Sequence, residues 1–218
     1  MWVSRDFCNF TACRAHNACM TVARLRTDDV ELARRCVLGD RASQRDVFRR
    51  HVSRVHATLY RILGPDSEMD DLIQDTFIEI FRSLATFRGD ALLSTWVDRL
   101  TVRVAYGRIS RRRAEIVHLA VVPELPSGDA SSEDRALARE AARRLYAIVE
   151  KLEPLQRVAY TLHVIDARPI EEVAAAMDAS VVTTKVRAWR AARYVEKRAQ
   201  HEPLLAEFLD ESRRGDAS

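Results

Sequence analysis

Apolar residues along this chain recur at helical rather than strand spacing. Between about Ser43 and Leu63, the positions Phe48, Val52, Val55, Leu59 and Ile62 follow one another at steps of four, three, four and three, which puts them on one helical face. Gly64-Pro65 ends that element, because glycine accepts the left-handed conformation and proline cannot continue a helix. A second helix begins at Ser67, whose hydroxyl with Asp70 three residues on resembles a capping box, and carries the stripe Met69, Ile73, Phe77, Ile80 and Leu84. Its other face holds Asp71, Gln74 and Asp75. A third helix, from about Thr95 to Arg112, has two faces: Val97, Leu100 and Val104 turn inward, while Trp96, Arg99, Arg103 and Tyr106 form a stripe in which aromatic rings alternate with guanidinium groups.

The pattern lapses from about Ala114 to Glu140, where Pro123, Pro126 and Gly128 appear among Glu115, Glu124, Asp129, Glu133 and Asp134, and a linker is expected. A second helical unit follows from about Arg143 to Val195, with Leu145, Ile148, Val149, Leu152, Val158, Leu162 and Ile165 on its apolar stripe, and a core of its own is expected. Within it, Pro169 opens a short helix that faces Ile170, Val173, Ala174 and Met177 inward. After the turn Asp178-Ala179-Ser180, with Ser180 as N-cap, comes a Lys- and Arg-rich helix. Two short helices so joined read as a helix-turn-helix. Burying Val181, Thr184, Ala188, Ala191 and Val195 turns Lys185, Trp189, Arg190 and Arg193 outward, with Arg187 on the flank; the competing phase, with Val182, Val186 and Trp189 inside, would also bury Arg193.

Composition narrows the class. The 218 residues are 47% hydrophobic and 31% charged, with only 6 Gly and 6 Pro, too few turn formers for an all-β fold. The expected fold class is all-α: two small helical domains joined by a flexible linker, the C-terminal one containing the helix-turn-helix. No apolar run approaches the ~20 residues of a membrane span, and Met1 to Met20 lacks the apolar core of a secretory signal. Those two features place the chain in the cytoplasm, without membrane insertion. Net charge is only +3, but its distribution is uneven. Asp66, Glu68, Asp70, Asp71, Asp75 and Glu79 make an acidic run; Arg99, Arg103, Arg108, Arg111, Arg112 and Arg113 make a basic one; six of the seven charges from Lys185 to Arg198 are basic. One acidic and two basic surfaces imply two kinds of macromolecular partner.

Cys8, Cys13, His16 and Cys19 lie close together, a set whose options are zinc, redox sensing or an inert leader upstream of a start at Met20; the spacing is not a standard paired pattern and no metal or cofactor is assigned. Cys36 reads as a small core residue. The tail residues Leu204, Leu205, Phe208 and Leu209 are apolar enough to cap the second core or meet a partner. No nucleophile and base pairing, Gly-rich phosphate loop or catalytic carboxylate pair is present, so no enzyme is expected.

The segments Asp71-Leu-Ile-Gln-Asp-Thr-Phe77, Phe87-Arg-Gly-Asp-Ala-Leu-Leu-Ser-Thr-Trp96 and Thr183-Thr-Lys-Val-Arg187, in that order and with an Arg-rich helix end and a linker between the second and third, resemble a bacterial sigma factor of the sigma-70 family, extracytoplasmic-function group. The resemblance spans about residues 41 to 200. It implies a region 2 domain at 24–113, a linker at 114–140 and a region 4 domain at 141–200, flanked by an N-terminal extension at 1–23 and a tail at 201–218. It further implies that Asp70, Asp71, Gln74, Asp75 and Glu79 bind core RNA polymerase. Arg88, Leu92, Leu93, Ser94, Trp96, Arg99, Arg103, Tyr106, Arg111 and Arg112 would then meet the minus-ten promoter element, and Ser180, Thr183, Lys185, Arg187, Arg190 and Arg193 the minus-thirty-five element. The implied partners are core polymerase, promoter DNA and an anti-sigma factor. Aromatic faces beside arginines suit unstacked bases, since stacking recovers about 1–3 kcal/mol per base. Rival readings are a stand-alone helix-turn-helix regulator that binds duplex DNA without polymerase, and a sigma-mimicking decoy that binds a regulator without melting DNA. The chain departs from the family pattern at Arg103 and Gly107, and at Val182, Thr184 and Ala188 of the recognition helix.

Overall fold

The computed structural model describes residues 26–64, 66–115 and 132–206. The cluster Cys8, Cys13, His16 and Cys19, most of the linker, and Phe208 and Leu209 of the tail lie outside those residues. The described chain is helical: α1 (26–37), α2 (Arg41–Leu63), α3 (Met69–Ser83) and α4 (Leu93–Glu115) make the first half, and α5 (Ser132–Val149), α6 (Pro154–Tyr160), α7 (Ile170–Ala176) and α8 (Val181–Ala199) the second. A single 3-10 turn, Leu84–Thr86, follows α3, and a π-helical turn, Thr161–Ile165, continues α6.

Local capping sets several boundaries. Asp40 accepts hydrogen bonds from the Ala42 amide at 2.9 Å and the Ser43 hydroxyl at 2.8 Å, so α2 begins at Arg41, two residues before the start expected from periodicity. The Ser43 hydroxyl, Arg35 and the Ala42 amide together draw the Asp40 carboxyl down to about 2. On α2 the buried face is Val47, Val55, Leu59 and Ile62, with His51 and Thr58 among them. Phe48 is turned to the flank, where its ring meets that of Phe77 at 4.6 Å between centroids. At α3 the expected Ser67 cap is not formed. The helix begins at Met69, and Asp66 accepts from the Glu68 amide at 3.1 Å instead. Helix α4 buries Leu93, Val97, Leu100, Val102, Ala105 and Ile109, leaving Val104 half-buried.

Two expectations about the second half are corrected. Residues 132–140, placed in the linker by their acidic, non-periodic character, belong to α5. The Ala, Arg and Glu that follow Ser132 are strong helix formers, and that propensity outweighs the absence of an apolar stripe at the helix start. The two halves also do not keep separate cores. Val158 and Leu162, both fully buried, together with Val173 and Ala176, join the cluster built by Val47, Leu59, Phe77, Ile80 and Val97 of the first half. Helix α4 packs on α6 and α7, and α2 on the π turn. A smaller cluster belongs to the second half alone: Ile148, Val149, Leu152, Tyr160, Ala191, Val195 and Ala199, with Leu205 of the tail buried and Leu204 packed against it.

The carboxyl end of α2 is the seam. Its last carbonyls have no partner within the helix. The Arg157 guanidinium, on α6 and only 5% exposed, donates to the Ile62 carbonyl at 2.7 Å and the Leu63 carbonyl at 2.9 Å. Gly64 turns the chain with φ 75°, a conformation that favours glycine, and a Cβ there would crowd the Tyr146 ring at 3.2 Å. Because one apolar core serves both halves, the described helices should unfold in a single calorimetric transition. Leu162→Ala, which empties that core from the second half, should lower its stability by about 2–5 kcal/mol without splitting it. Two resolved transitions in the wild-type chain would contradict the shared core.

Candidate nucleic-acid interface

The outer face of α3 is acidic and uncovered. Asp70, Asp71, Gln74 and Asp75 are exposed, and Glu79 is half-buried, accepting from the Ser83 hydroxyl at 3.2 Å. The acidic run is nevertheless not one surface. Asp66, with its side chain fully buried, is held by Arg108 at 3.4 Å and by Arg112 at 2.9 Å, and Glu68 pairs with Arg108 at 2.7 Å. The two ends of the acidic and basic runs therefore neutralise each other across α4, and Arg112 is committed to a structural ion pair. Nothing in residue order signals this, since Asp66 and Arg108 are 42 positions apart.

The loop before α4 and the helix itself redistribute the remaining minus-ten residues. Arg88, Arg103, Tyr106 and Arg111 are exposed, and Leu92, Ser94 and Trp96 are half-buried. Leu93 is a core residue, 1% exposed, and its amide donates to Asp29 at 2.8 Å, so the expectation that it meets DNA is withdrawn. Gly89, at φ 76°, lets the loop close over α1, where a Cβ would come within 2.5 Å of Val30. Trp96 packs on the core and meets the Phe87 ring edge-on at 5.7 Å, so it braces this loop as well as facing outward. Arg99 turns to the second half and donates to the Ala175 carbonyl of α7 at 2.7 Å. Asp98 beside it, absent from the sequence-derived set, is 1% exposed and bound by Arg54 and Arg168.

The helix-turn-helix has the expected phase. Asp178 takes a left-handed φ of 50° between α7 and α8. Ser180 then caps α8, its oxygen accepting from the Thr183 amide at 3.1 Å while the two hydroxyls share a 2.8 Å bond. Thr184, Ala188, Ala191 and Val195 are buried, and Val181 is half-buried. Lys185, Arg190 and Arg193 are exposed and Arg187 lies on the flank. Between them Val182, Val186 and Trp189 stand out of the surface, at 71%, 41% and 64% exposure. Valines and a tryptophan thus stand in water, flanked by cations, on a helix that begins at a tight turn.

This geometry defines a helix-turn-helix DNA-binding protein with a second, aromatic and basic face on a separate helix. Residues 47–115 match the family model described as Sigma-70 region 2, and residues 142–194 that described as Sigma-70, region 4. The chain is 30% identical to the ECF RNA polymerase sigma-E factors of Salmonella typhimurium and Escherichia coli over 190 residues, covering 82% of this chain and 96% of theirs. It is 27% identical over 188 residues to the RNA polymerase sigma-H factor of Pseudomonas aeruginosa, with the same coverage. Among solved structures, CnrH in complex with the cytosolic domain of CnrY shares the fold with a TM-score of 0.53 at 21% identity, over 80% of this chain and 98% of that one. The sigma factor RpoE bound to the anti-sigma factor NepR from Bartonella quintana does so with a TM-score of 0.52 at 18% identity, over 70% and 94%. The chain belongs to the sigma-70 family, in its extracytoplasmic-function group. It is a promoter-directing subunit of RNA polymerase and not an enzyme.

The two aromatics of α4 should separate in mutation. Tyr106→Ala, at an exposed ring, should slow promoter melting while leaving thermal stability unchanged. Trp96→Ala should slow melting and also cost about 2 kcal/mol of stability, because it removes the brace on Phe87. Thermal unfolding paired with permanganate footprinting of the melted strand checks both; equal stability of the two variants would refute the bracing role.

Proposed function

We propose that this sigma factor grips core RNA polymerase through the acidic face of α3, with Asp70, Asp71, Gln74, Asp75 and Glu79, and holds the promoter at two places. Arg88, Leu92, Ser94, Trp96, Arg99, Arg103, Tyr106 and Arg111 take the minus-ten strand. Ser180, Thr183, Lys185, Arg187, Arg190 and Arg193 take the minus-thirty-five groove. The observation that carries this reading is the separation of charge by element: α3 presents carboxylates outward, whereas the exposed ends of α4 and α8 present guanidinium groups, so one chain suits a basic protein surface and two stretches of phosphate. Relative to the set drawn from residue order, Leu93 and Arg112 are removed, since one is core and the other serves Asp66.

The domains follow from the same reading: region 2 in α1 to α4, region 4 in α5 to α8, the extension 1–23 ahead and the tail 201–218 behind. The chain works in the cytoplasm, where its polymerase is; no helix among the described residues is long and apolar enough to cross a membrane. An anti-sigma partner controls it, as the complexes of both structural neighbours suggest by analogy. A stand-alone regulator would have no use for an unpaired acidic helix beside a strand-binding face, and a decoy none for the arginines of α4.

The exposed Val182, Val186 and Trp189 suit thymine methyl groups at the floor of the major groove, where apolar contact is the natural readout. Run-off transcription with purified core polymerase tests the whole assignment. Charge reversal at Asp71 and Asp75 together should weaken core binding by about tenfold or more, as loss of complementary interface charges does; unchanged binding would remove α3 from the polymerase interface. Trp189→Ala should weaken protection of the minus-thirty-five region in a footprint while core binding stays intact, and an unaltered footprint would take Trp189 out of the groove.

A further inference from the structure

Helix α4 starts without a cap of its own. Trp96 donates the first helical hydrogen bond to the Leu92 carbonyl, at 3.1 Å, which puts Leu92 in the capping position. Its side chain has no acceptor, and the first turn of this 23-residue helix carries no carboxylate to meet the positive end of the dipole. The acceptor comes from another helix. Asp29, half-buried on α1, takes the Leu93 amide at 2.8 Å across 64 residues. A carboxylate there satisfies an amide that α4 leaves open and stands at the favourable end of its dipole.

The same helix holds the loop a few residues earlier. Gly89, at φ 76°, comes so near α1 that a Cβ would stand 2.5 Å from Val30 and 3.8 Å from the Arg26 carbonyl. Asp29 and Val30 lie three and four residues after Arg26, so all three share one face of α1. The loop that leads into α4 is therefore fastened to that face at both ends. The buried Leu93 side chain sets how deep its far end lies, and the Asp29 bond sets the direction in which α4 leaves it. Leu92 and Ser94, the two residues beside the bonded amide, are half-buried, and Arg88, beside Gly89, is exposed.

We propose that α1 is a positioning element for promoter reading, in which Asp29 caps α4 from outside and Val30 beds the loop, so that Arg88, Leu92, Ser94 and Trp96 are held ready for the minus-ten strand. The inference rests on the assignment of those four residues to that strand. Asp29 touches no DNA in this arrangement; it acts through the Leu93 amide. A loop free of α1 would have to be ordered when the strand binds, and the entropy of ordering it would be subtracted from the affinity. Held in advance, the loop avoids that loss. What Asp29 contributes is an acceptor at one place, so an asparagine oxygen can do the same, whereas a methyl group cannot.

The test uses holoenzyme assembled from core polymerase and the full chain carrying Asp29→Ala, Asp29→Asn or Val30→Ala, on a promoter that the wild type directs core polymerase to use. Affinity for a fork template of that promoter, single-stranded in the minus-ten non-template strand, reads strand binding. Hydrogen exchange over residues 88–96 of the free chain reads the loop, and titration with core polymerase reads α3. Asp29→Ala should weaken fork affinity about fivefold, the scale of one lost helix cap, and speed exchange over 88–96 by a similar factor. Its affinity for core polymerase should stay within about twofold of the wild type, as for independent sites. Asp29→Asn should restore both the fork affinity and the slow exchange. Val30→Ala, at a residue 37% exposed, should act in the same direction as Asp29→Ala, at about twofold, with thermal stability unchanged. Should Asp29→Ala lose helicity by circular dichroism, Val30→Ala decides. Equal losses for the alanine and asparagine variants, unchanged exchange in the loop, a faster-exchanging loop with unaltered fork affinity, or a fall in core affinity equal to the fall in fork affinity would each overturn the positioning role. Unaltered fork affinity in Arg88→Ala would instead overturn the assignment of the loop to the minus-ten strand, a separate result.

Discussion

A buried guanidinium stands at the seam of the two halves of this molecule, beside the apolar core they share. Arg157 places its cation at the negative end of the α2 dipole and satisfies two carbonyls that the helix cannot satisfy itself. Burying a charge so completely is tolerable only because it is hydrogen-bonded to groups that would otherwise be unpaired. The consequences run outward from there. Arg157 sits on α6 directly before Val158 and five residues before Leu162, both of which enter the core of the first half, and α7 follows by way of the Arg168 turn. With α2 capped from the second half, α7 lies along α4.

The electrostatics follow a rule that residue order conceals: charges close in sequence have different tasks according to depth. Asp66 and Asp71 belong to one acidic run, yet the first is a buried clasp for Arg108 and Arg112 while the second faces solvent on α3. Asp98 and Arg99 are neighbours, and one is the hub of an ion lattice while the other reaches for a carbonyl in α7. Arg54 and Arg168 hold the buried Asp98, and the hydrogen bond to Asp98, foremost among its causes, pushes the Arg54 guanidinium above its ordinary value. What remains exposed after these internal pairings is the surface available to partners: carboxylates on α3, guanidiniums at the loop before α4 and along α4, and cations around an apolar stripe on α8.

That stripe sets the recognition helix apart from an ordinary amphipathic helix. An amphipathic helix hides its apolar side and wets its charged one. Helix α8 does this with Thr184, Ala188, Ala191 and Val195, small residues that bring it close to α6, and then adds a second apolar line on the wet side. Exposed valines and a tryptophan are unfavourable in water, which is why the proposed groove contact is assigned to them.

Most of the local architecture was legible in residue order. Period fixes the inward face of α8, while on α3 it names Phe77 and Ile80 but misses the buried Leu72 and Thr76; Ser180 and Pro169 announce the helix-turn-helix, and the succession of motifs carries the family. These signals work because helix faces and caps depend on residues within four positions of one another. Others misled for the same reason. Ser67 has the letters of a capping box, but Asp66 is held in the better position by arginines from α4; Leu93 lies in a loop-like motif, but its side chain fills the core. Residue order by itself determined most of the helices, the inward face of α8 and the promoter-directing class of the chain, but it left α1 undrawn, put residues 132–140 in a linker and turned Phe48 inward. Only the tertiary structure decided which arginines are taken up by internal pairs and that the halves share a core, because the pairs that settle it, such as Arg54 with Glu172 across 118 residues, leave no mark on any local period.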